Sequence, residues 1–85
     1  MKSMTFVVHN EKGLDARLAG ELVRECIACD GNVTIRKGAR TGNGKIIFNV
    51  MSLRIRKGDR IEIILDGGAE EADSCRLTKF AELNL

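Results

Sequence analysis

The fold follows from residues 13–27, which read GLDARLAGELVRECI. Apolar side chains recur in this segment one and three positions apart, at Leu18, Ala19, Leu22, Val23, Cys26 and Ile27. Because an α-helix turns once every ~3.6 residues, this spacing gathers the apolar side chains on one face and leaves Arg17 and Glu21 on the other. The segment therefore predicts an amphipathic helix over residues 16–27, which the turn residues 30–32 end.

On both sides of this helix the sequence alternates between apolar and polar residues, as half-buried β-strands do. The last strand shows the alternation most clearly, because Ile61, Ile63 and Leu65 share one face. In the first strand Phe6 and Val8 share a face in the same way. The predicted strands cover residues 5–9, 33–35, 39–41 and 60–65. The middle two are close enough in sequence to form a hairpin.

Two further segments are predicted to be helical. Residues 45–53 are predicted to form a short helix, which has more apolar side chains than one face can bury. Residues 70–83 begin with Glu70 and Glu71, which are favourable at a helix N-terminus. The apolar stripe of this last helix is weaker and consists of Ala72, Cys75, Leu77, Phe80, Ala81 and Leu83.

The resulting order is β-α-β-β-α-β-α. It predicts an α+β protein in which three helices lie on one face of a four-stranded, mainly antiparallel sheet. This arrangement is an open-faced two-layer sandwich.

Length and composition limit what such a protein can do. The chain has 85 residues, enough for a single domain over residues 1–85 and too few for a buried active-site cleft. No segment approaches the roughly 20 apolar residues of a membrane span, and the first ten residues lack the apolar run of a signal peptide. We therefore expect a cytoplasmic protein with reduced thiols and no membrane insertion.

The charge distribution bears on the kind of partner. The net charge of +2 is too small to argue for nucleic acid, but residues 36–60 hold eight basic side chains against one acidic side chain, Asp59. This asymmetry favours an acidic protein or a phosphate group. A small RNA- or ligand-binding domain that uses the basic hairpin is an alternative, although the chain lacks the aromatic residues on which bases stack.

The segment GLDARLA, residues 13–19, resembles the active-site signature of the HPr family. These proteins are the small phosphocarriers of the bacterial phosphoenolpyruvate-dependent sugar phosphotransferase system. In the signature, Gly-Leu-His precedes a small residue and then Arg, Pro and Ala, and four of the seven positions match here. The resemblance continues at the family's spacing through Lys45, Phe48, Leu53, Gly58 and Leu77. It therefore covers nearly the whole chain and implies an HPr-like fold.

The resemblance also implies a phosphoryl-transfer site at the N-terminus of the first helix. In the family a histidine there accepts a phosphoryl group from enzyme I, while helix amides and an arginine stabilise the phosphate. Here Asp15 stands at the histidine position, and Leu18 replaces a proline. Ala16 and Arg17 occupy the phosphate-binding positions. Ile46 occupies the regulatory serine position and cannot be phosphorylated.

Asp15 allows three interpretations. It caps the first helix, it mimics the charge of a phosphohistidine for a partner, or it accepts a phosphoryl group as an acyl phosphate. The third is least favoured, because no acidic cluster that could hold a divalent cation accompanies it. Arg17 lies in the first turn, where a cation needs a nearby anion, and Asp15 could be that anion. Arg54, at a position that the family usually gives to glycine, could fold over Asp15 or be simply solvated.

The short second helix is predicted to present a docking surface. Its four surplus apolar side chains, Ile46, Ile47, Phe48 and Met51, correspond to the patch with which HPr proteins bind partners. Val50 and Leu53 suffice for the core side of so short a helix. We expect Lys45, Arg17 and Arg24 to rim the patch and to attract an acidic partner.

The remaining candidate ligands predict no metal site and no cofactor. Cys26 and Cys29 form a C-x-x-C pair, but no second pair or suitable histidine completes a zinc site, and buried thiols are the simpler interpretation. His9, the only histidine, is expected on the outward face of the first strand without a catalytic partner.

These observations predict a binding protein rather than an enzyme. It would be a docking or regulatory relative of the phosphocarrier that is not itself phosphorylated. The resemblance implies enzyme I, sugar-permease domains or a transcriptional regulator as partners, and a homodimer is the alternative cover for the patch. Nucleic acid is not expected. The leading alternative is an active carrier that uses Asp15 as its phosphoacceptor.

Overall fold

The computed structural model describes residues Met1–Leu85. Its elements are β1 (Lys2–Val7), α1 (Ala16–Ile27), β2 (Asn32–Lys37), β3 (Arg40–Asn43), α2 (Ile47–Ser52), β4 (Arg60–Asp66) and α3 (Glu70–Asn84). The four strands form one sheet in the order β1-β4-β2-β3, and all three pairings are antiparallel. The predicted α+β fold and the order of its elements are confirmed. None of the three helices combines the length and apolar character needed to cross a membrane.

Strand β4 lies at the centre of the fold. Ile63 pairs with Met4 on β1 and with Ile35 on β2, so β4 connects the two halves of the sheet. Ile61, Ile63 and Leu65 are all buried on one side, as their alternation predicts. The intervening side chains of β4 lie on the opposite, open face of the sheet.

Helix α1 has the bounds that its periodicity predicts, and five of its six apolar residues are buried. Ile27 is the exception, with 60% of its surface exposed. A tight turn follows it, in which the Cys29 amide donates to the Cys26 carbonyl at 3.0 Å. This turn places Cys29 in the core instead of Ile27.

The predicted stripe of α3 is partly wrong. Leu77 and Ala81 are buried as predicted, and Phe80 packs partly buried against the core. Ala72, Cys75 and Leu83 are exposed, and the helix buries Asp73 and Ser74 in their place. The buried positions still follow helical spacing, but two of them are polar. The Asp73 carboxylate is satisfied because it accepts a hydrogen bond from the Asp30 amide at 3.1 Å.

The other bounds differ from the prediction by a few residues. β1 begins earlier than predicted and ends at Val7, so the buried Val8 and the exposed His9 follow the strand. β3 is displaced toward the C-terminus, because Gly38 turns the chain with a φ of 61° before Arg40. α2 is shorter than residues 45–53.

The loop after α1 crosses the loop after β4 at very short range. A Cβ atom added to Gly31 would lie 2.2 Å from the carbonyl oxygen of Gly67. Since the obstructing atom belongs to the backbone, neither loop can yield without shifting the elements that it joins. This crossing fixes the distance between the C-terminal end of α1 and the N-terminal end of α3.

We therefore expect Gly31→Ala to lower the free energy of unfolding by about 2 kcal/mol through overpacking. Gly20→Ala is the matched control, since its new methyl group meets nothing within 4 Å. In the middle of α1 that change should stabilise the protein by roughly 0.5–1 kcal/mol. Urea unfolding of the two variants measures both effects, and equal stability would contradict the crossing.

Candidate functional site

The loop between β1 and α1 is held rigidly against residues 55–56. The Leu14 amide donates to the Ile55 carbonyl at 3.0 Å, and the Leu14 side chain is buried. Gly13 has a φ of 61°, and a Cβ atom there would lie 2.7 Å from the Arg56 Cα. Only glycine satisfies both conditions. The loop therefore delivers Asp15 to the start of α1 in a fixed position.

Asp15 is the N-cap of α1. Its backbone is extended, and its Oδ1 accepts a hydrogen bond from the Leu18 amide at 2.9 Å. The carboxylate also lies at the positive end of the helix dipole. The capping bond requires an N–H group at position 18, which a proline would lack. The amides of Ala16 and Arg17 lie in the same first turn, where the helix itself offers them no acceptor.

Arg17 pairs with Glu21 and not with Asp15. Its Nη1 lies 3.1 and 3.2 Å from the two Glu21 carboxylate oxygens, one helical turn away. The predicted Arg17–Asp15 pair is therefore not formed. Both partners of the observed pair are well exposed, so the pair adds little to stability and can be exchanged for another anion.

Arg54 ends α2 in a left-handed conformation, with a φ of 51°. It is the only residue other than glycine with a positive φ. Its amide donates to the Met51 carbonyl at 3.1 Å, and its own carbonyl accepts from Lys37 Nζ at 2.7 Å. The exposed side chain makes no ion pair, and the one hydrogen bond of the Asp15 side chain is to the Leu18 amide and not to Arg54.

The four surplus apolar side chains of the α2 region lie on the surface. Phe48 is 79% exposed, and Ile46, Ile47 and Met51 are 42–46% exposed. Val50 and Leu53 are buried beneath them, as the count of core positions predicts. Ile46 is the N-cap position of α2 and makes no side-chain cap bond. We call these four residues the α2 patch.

The cations predicted to rim the α2 patch differ in whether they have partners within the chain: Arg17 pairs with Glu21. Lys45 Nζ donates to the Cys29 carbonyl at 2.9 Å and so stabilises the C-terminal end of α1. Arg24 is exposed and unpaired. Arg40 and Arg54 line a surface depression together with Phe48, Met51 and Ser52. Sequence reasoning missed Arg40, because only the tertiary fold places β3 beside α2.

Half of the basic side chains in residues 36–60 have partners within the chain. Arg36 pairs with Glu62, Lys57 pairs with Glu11, and Lys37 lies 2.9 Å from Asp59. The hydrogen bond from Lys37 holds the pKa of the Asp59 carboxyl below its usual value. Lys45 donates to the Cys29 carbonyl. The arginines of this segment that form no ion pair are Arg40, Arg54, Arg56 and Arg60, since the arginines in ion pairs are Arg17, Arg36 and Arg76.

The cysteine pair has the environment of core residues. Cys26 and Cys29 are buried, whereas Cys75 is exposed. Burial raises the pKa of the Cys26 thiol to about 12, and burial followed by the nearby Asp73 raises that of Cys29. Such thiols stay protonated at neutral pH and are poor nucleophiles. No group of three or more His, Cys, Asp or Glu side chains is arranged to hold a metal ion.

Three comparisons relate this geometry to known proteins. The family model for the PTS HPr component phosphorylation site matches residues 2–82. The phosphocarrier protein HPr of Mycoplasma capricolum is 36% identical over 67 residues, which cover 79% of this chain and 75% of the relative. The crystal structure of HPr-C-His from Thermoanaerobacter tengcongensis superimposes with a TM-score of 0.91 at 28% identity, covering 96% of this chain and 92% of that one.

A fourth similarity concerns assembly. Crh of Bacillus subtilis, whose structure is a dimer with a swapped domain, has a TM-score of 0.76 and 26% identity. The match covers 100% of this chain and 98% of that one.

The capping bond predicts the effect of removing the carboxylate. Asp15→Ala should lower the free energy of unfolding by about 1 kcal/mol, because the Leu18 amide loses its acceptor. Asp15→Asn, which keeps an oxygen acceptor, should lose only a few tenths of a kcal/mol. Urea unfolding at neutral pH measures both. If Asp15→Ala is as stable as the parent chain, the cap contributes nothing.

Proposed function

The chain belongs to the HPr family of the phosphotransferase system, and we propose that it acts in the cytoplasm as a docking or regulatory member that is not itself phosphorylated. Proteins of this family are phosphoryl carriers and not enzymes. The observation that carries the proposal is the Asp15 carboxylate, which is engaged as the cap of α1 at the position of the family's phosphoacceptor.

Asp15 is a poor replacement for a phosphorylated histidine. A carboxylate is a weaker nucleophile than a neutral imidazole, and one of its oxygens already accepts the Leu18 amide. Carboxylate phosphorylation normally relies on a divalent cation, and no cluster of ligands accompanies Asp15. The chemistry of the site therefore favours a permanent negative charge over a transferable phosphoryl group.

That permanent charge suits recognition by a protein. Asp15 is partly exposed, and the two residues before it lie against Ile55 and the backbone of Arg56. A partner that binds the phosphorylated form of an HPr protein has a binding site for an anion at the phosphohistidine position. The Asp15 carboxylate supplies one negative charge at this position. The exposed pair of Arg17 and Glu21 leaves the arginine free to turn toward such a partner.

The α2 patch supplies the apolar part of the proposed interface. Phe48 is the most exposed of the four residues, and exposed aromatic side chains in an interface are a frequent source of binding energy. We propose that Ile46, Ile47 and Met51 surround it, with Arg24 as a free cation on the α1 side. The family resemblance suggests enzyme I, sugar-permease domains or a transcriptional regulator as partners. The dimer of Crh supports a second copy of this chain as the alternative.

We expect no label on this protein after incubation with enzyme I and labelled phosphoenolpyruvate. Asp15→His should acquire an acid-labile label that resists hydroxylamine, because Gly13 and Arg17 still form the rest of the site. Asp15→Asn is the control, since it keeps the cap and offers neither nucleophile. A hydroxylamine-sensitive label on the unmodified chain would show that Asp15 is an active phosphoacceptor.

We expect Phe48→Asp to abolish binding to enzyme I, or to convert a dimer to a monomer, with little change in thermal stability. The substitution places a charge in the centre of the α2 patch but disturbs no buried side chain. Leu83→Asp is the matched control, because Leu83 is 84% exposed on α3 and lies outside the patch. Pull-down and analytical ultracentrifugation measure the two outcomes. Unchanged binding and assembly in Phe48→Asp would exclude docking through the patch.

A further inference from the structure

Arg54 occupies a conformation that favours glycine. A left-handed backbone is unfavourable for a residue with a Cβ atom, whereas glycine adopts it freely. The conformation itself serves α2, because the Arg54 amide caps the Met51 carbonyl. The fold gains nothing from the arginine side chain, which is exposed and unpaired. Because glycine would suit this backbone better, the presence of arginine indicates that the guanidinium group binds another molecule and does not stabilise the fold.

Arg40 is the second unpaired guanidinium beside α2. It lies on β3 directly opposite Lys37 on β2. Lys37 has Asp59 and the Arg54 carbonyl as partners, and the adjacent Arg36 has Glu62. Arg40 is exposed and has no carboxylate. Two free guanidinium groups therefore line one depression.

Apolar atoms lie between the two arginines. The same depression contains Phe48 and Met51, both exposed, together with Ser52. The Ser52 hydroxyl donates to the Asn49 carbonyl at 2.8 Å, so its proton is not free for a ligand. A ligand that fits this surface has carboxylate or phosphate oxygens for the guanidiniums and an apolar group for the ring and the thioether.

Between these two anions, the helix end favours the carboxylate. The depression lies at the C-terminus of α2, where the Met51 carbonyl is directed toward Arg54. Carbonyl oxygens repel anions, and a phosphate dianion is repelled more than a single carboxylate. A guanidinium binds a carboxylate through two parallel hydrogen bonds, which suits Asp and Glu side chains.

We propose that Arg40 and Arg54 form a two-guanidinium clamp for an acidic segment of a partner protein, with an adjacent apolar side chain of that segment packed on Phe48 and Met51. The inference rests on the proposed function, because it concerns how the α2 patch recognises its partner. It adds Arg40 on β3 and Arg54 at the end of α2 to the cations that α1 contributes to the interface.

The test uses a fluorescent twelve-residue peptide in which pairs of Glu alternate with Leu, at low ionic strength. Arg40→Gln and Arg54→Gly should each weaken binding about fivefold, and the double variant by more than about tenfold. Arg54→Gly also suits the left-handed backbone, so loss of fold does not explain its effect. Arg60→Gln is the matched control, since Arg60 is unpaired but lies outside the depression, and it should change binding less than about twofold.

Two results would overturn the clamp. One is equal binding of the Glu peptide by the double variant and the parent chain. The other is binding at least about tenfold tighter of a peptide with phosphoserine in place of Glu, which would assign the arginines to phosphate. If Phe48→Asp no longer binds enzyme I while the double variant binds the peptide as tightly as the parent chain, the clamp is contradicted and docking through the α2 patch is supported. If Phe48→Asp keeps both its enzyme I binding and its oligomeric state, the proposed function fails by itself.

Discussion

The burial of one face of β4 is the constraint on which the structure depends. Ile61, Ile63 and Leu65 lie between two neighbouring strands and under the helices, so the strand cannot slip by one residue without exposing all three. The antiparallel register then brings the start of β4, the end of β1 and the β2–β3 turn to the same end of the sheet. The loop that carries Asp15 lies at this end. The packing of the core thus positions the candidate site, which lies on the surface and not in a cleft.

The parts of the fold that follow from sequence are those where apolar periodicity and burial coincide. This holds for α1 and β4, whose buried residues are the alternating or helically spaced apolar ones. It fails for α3, where Asp73 and Ser74 occupy buried positions because a loop amide satisfies the carboxylate. A pattern of hydrophobic residues cannot identify a polar side chain that is buried by a partner 43 positions away.

The candidate site was predictable to a similar degree. The capping role of Asp15 and the surplus of apolar residues in α2 are local properties, so spacing and residue type were sufficient. The partner of Arg17 is also local, since Glu21 lies one turn away, but the proximity of Asp15 in sequence suggested the wrong anion. The positions of Lys45 and Arg40 depend on contacts between elements that are distant in sequence, and no local pattern contains them.

The hydrogen bond between Asp15 and the Leu18 amide has a consequence for signalling. A phosphohistidine carries its negative charge only while a phosphoryl group is attached, whereas under the proposed function the negative charge at Asp15 does not depend on phosphorylation. Under the proposed function the charge at residue 15 therefore does not change with the metabolic state of the cell. The remaining variable is its copy number, so that control passes from phosphorylation to gene expression. The ratio of this chain to its phosphorylatable relatives then sets, by mass action, how many shared partners are occupied.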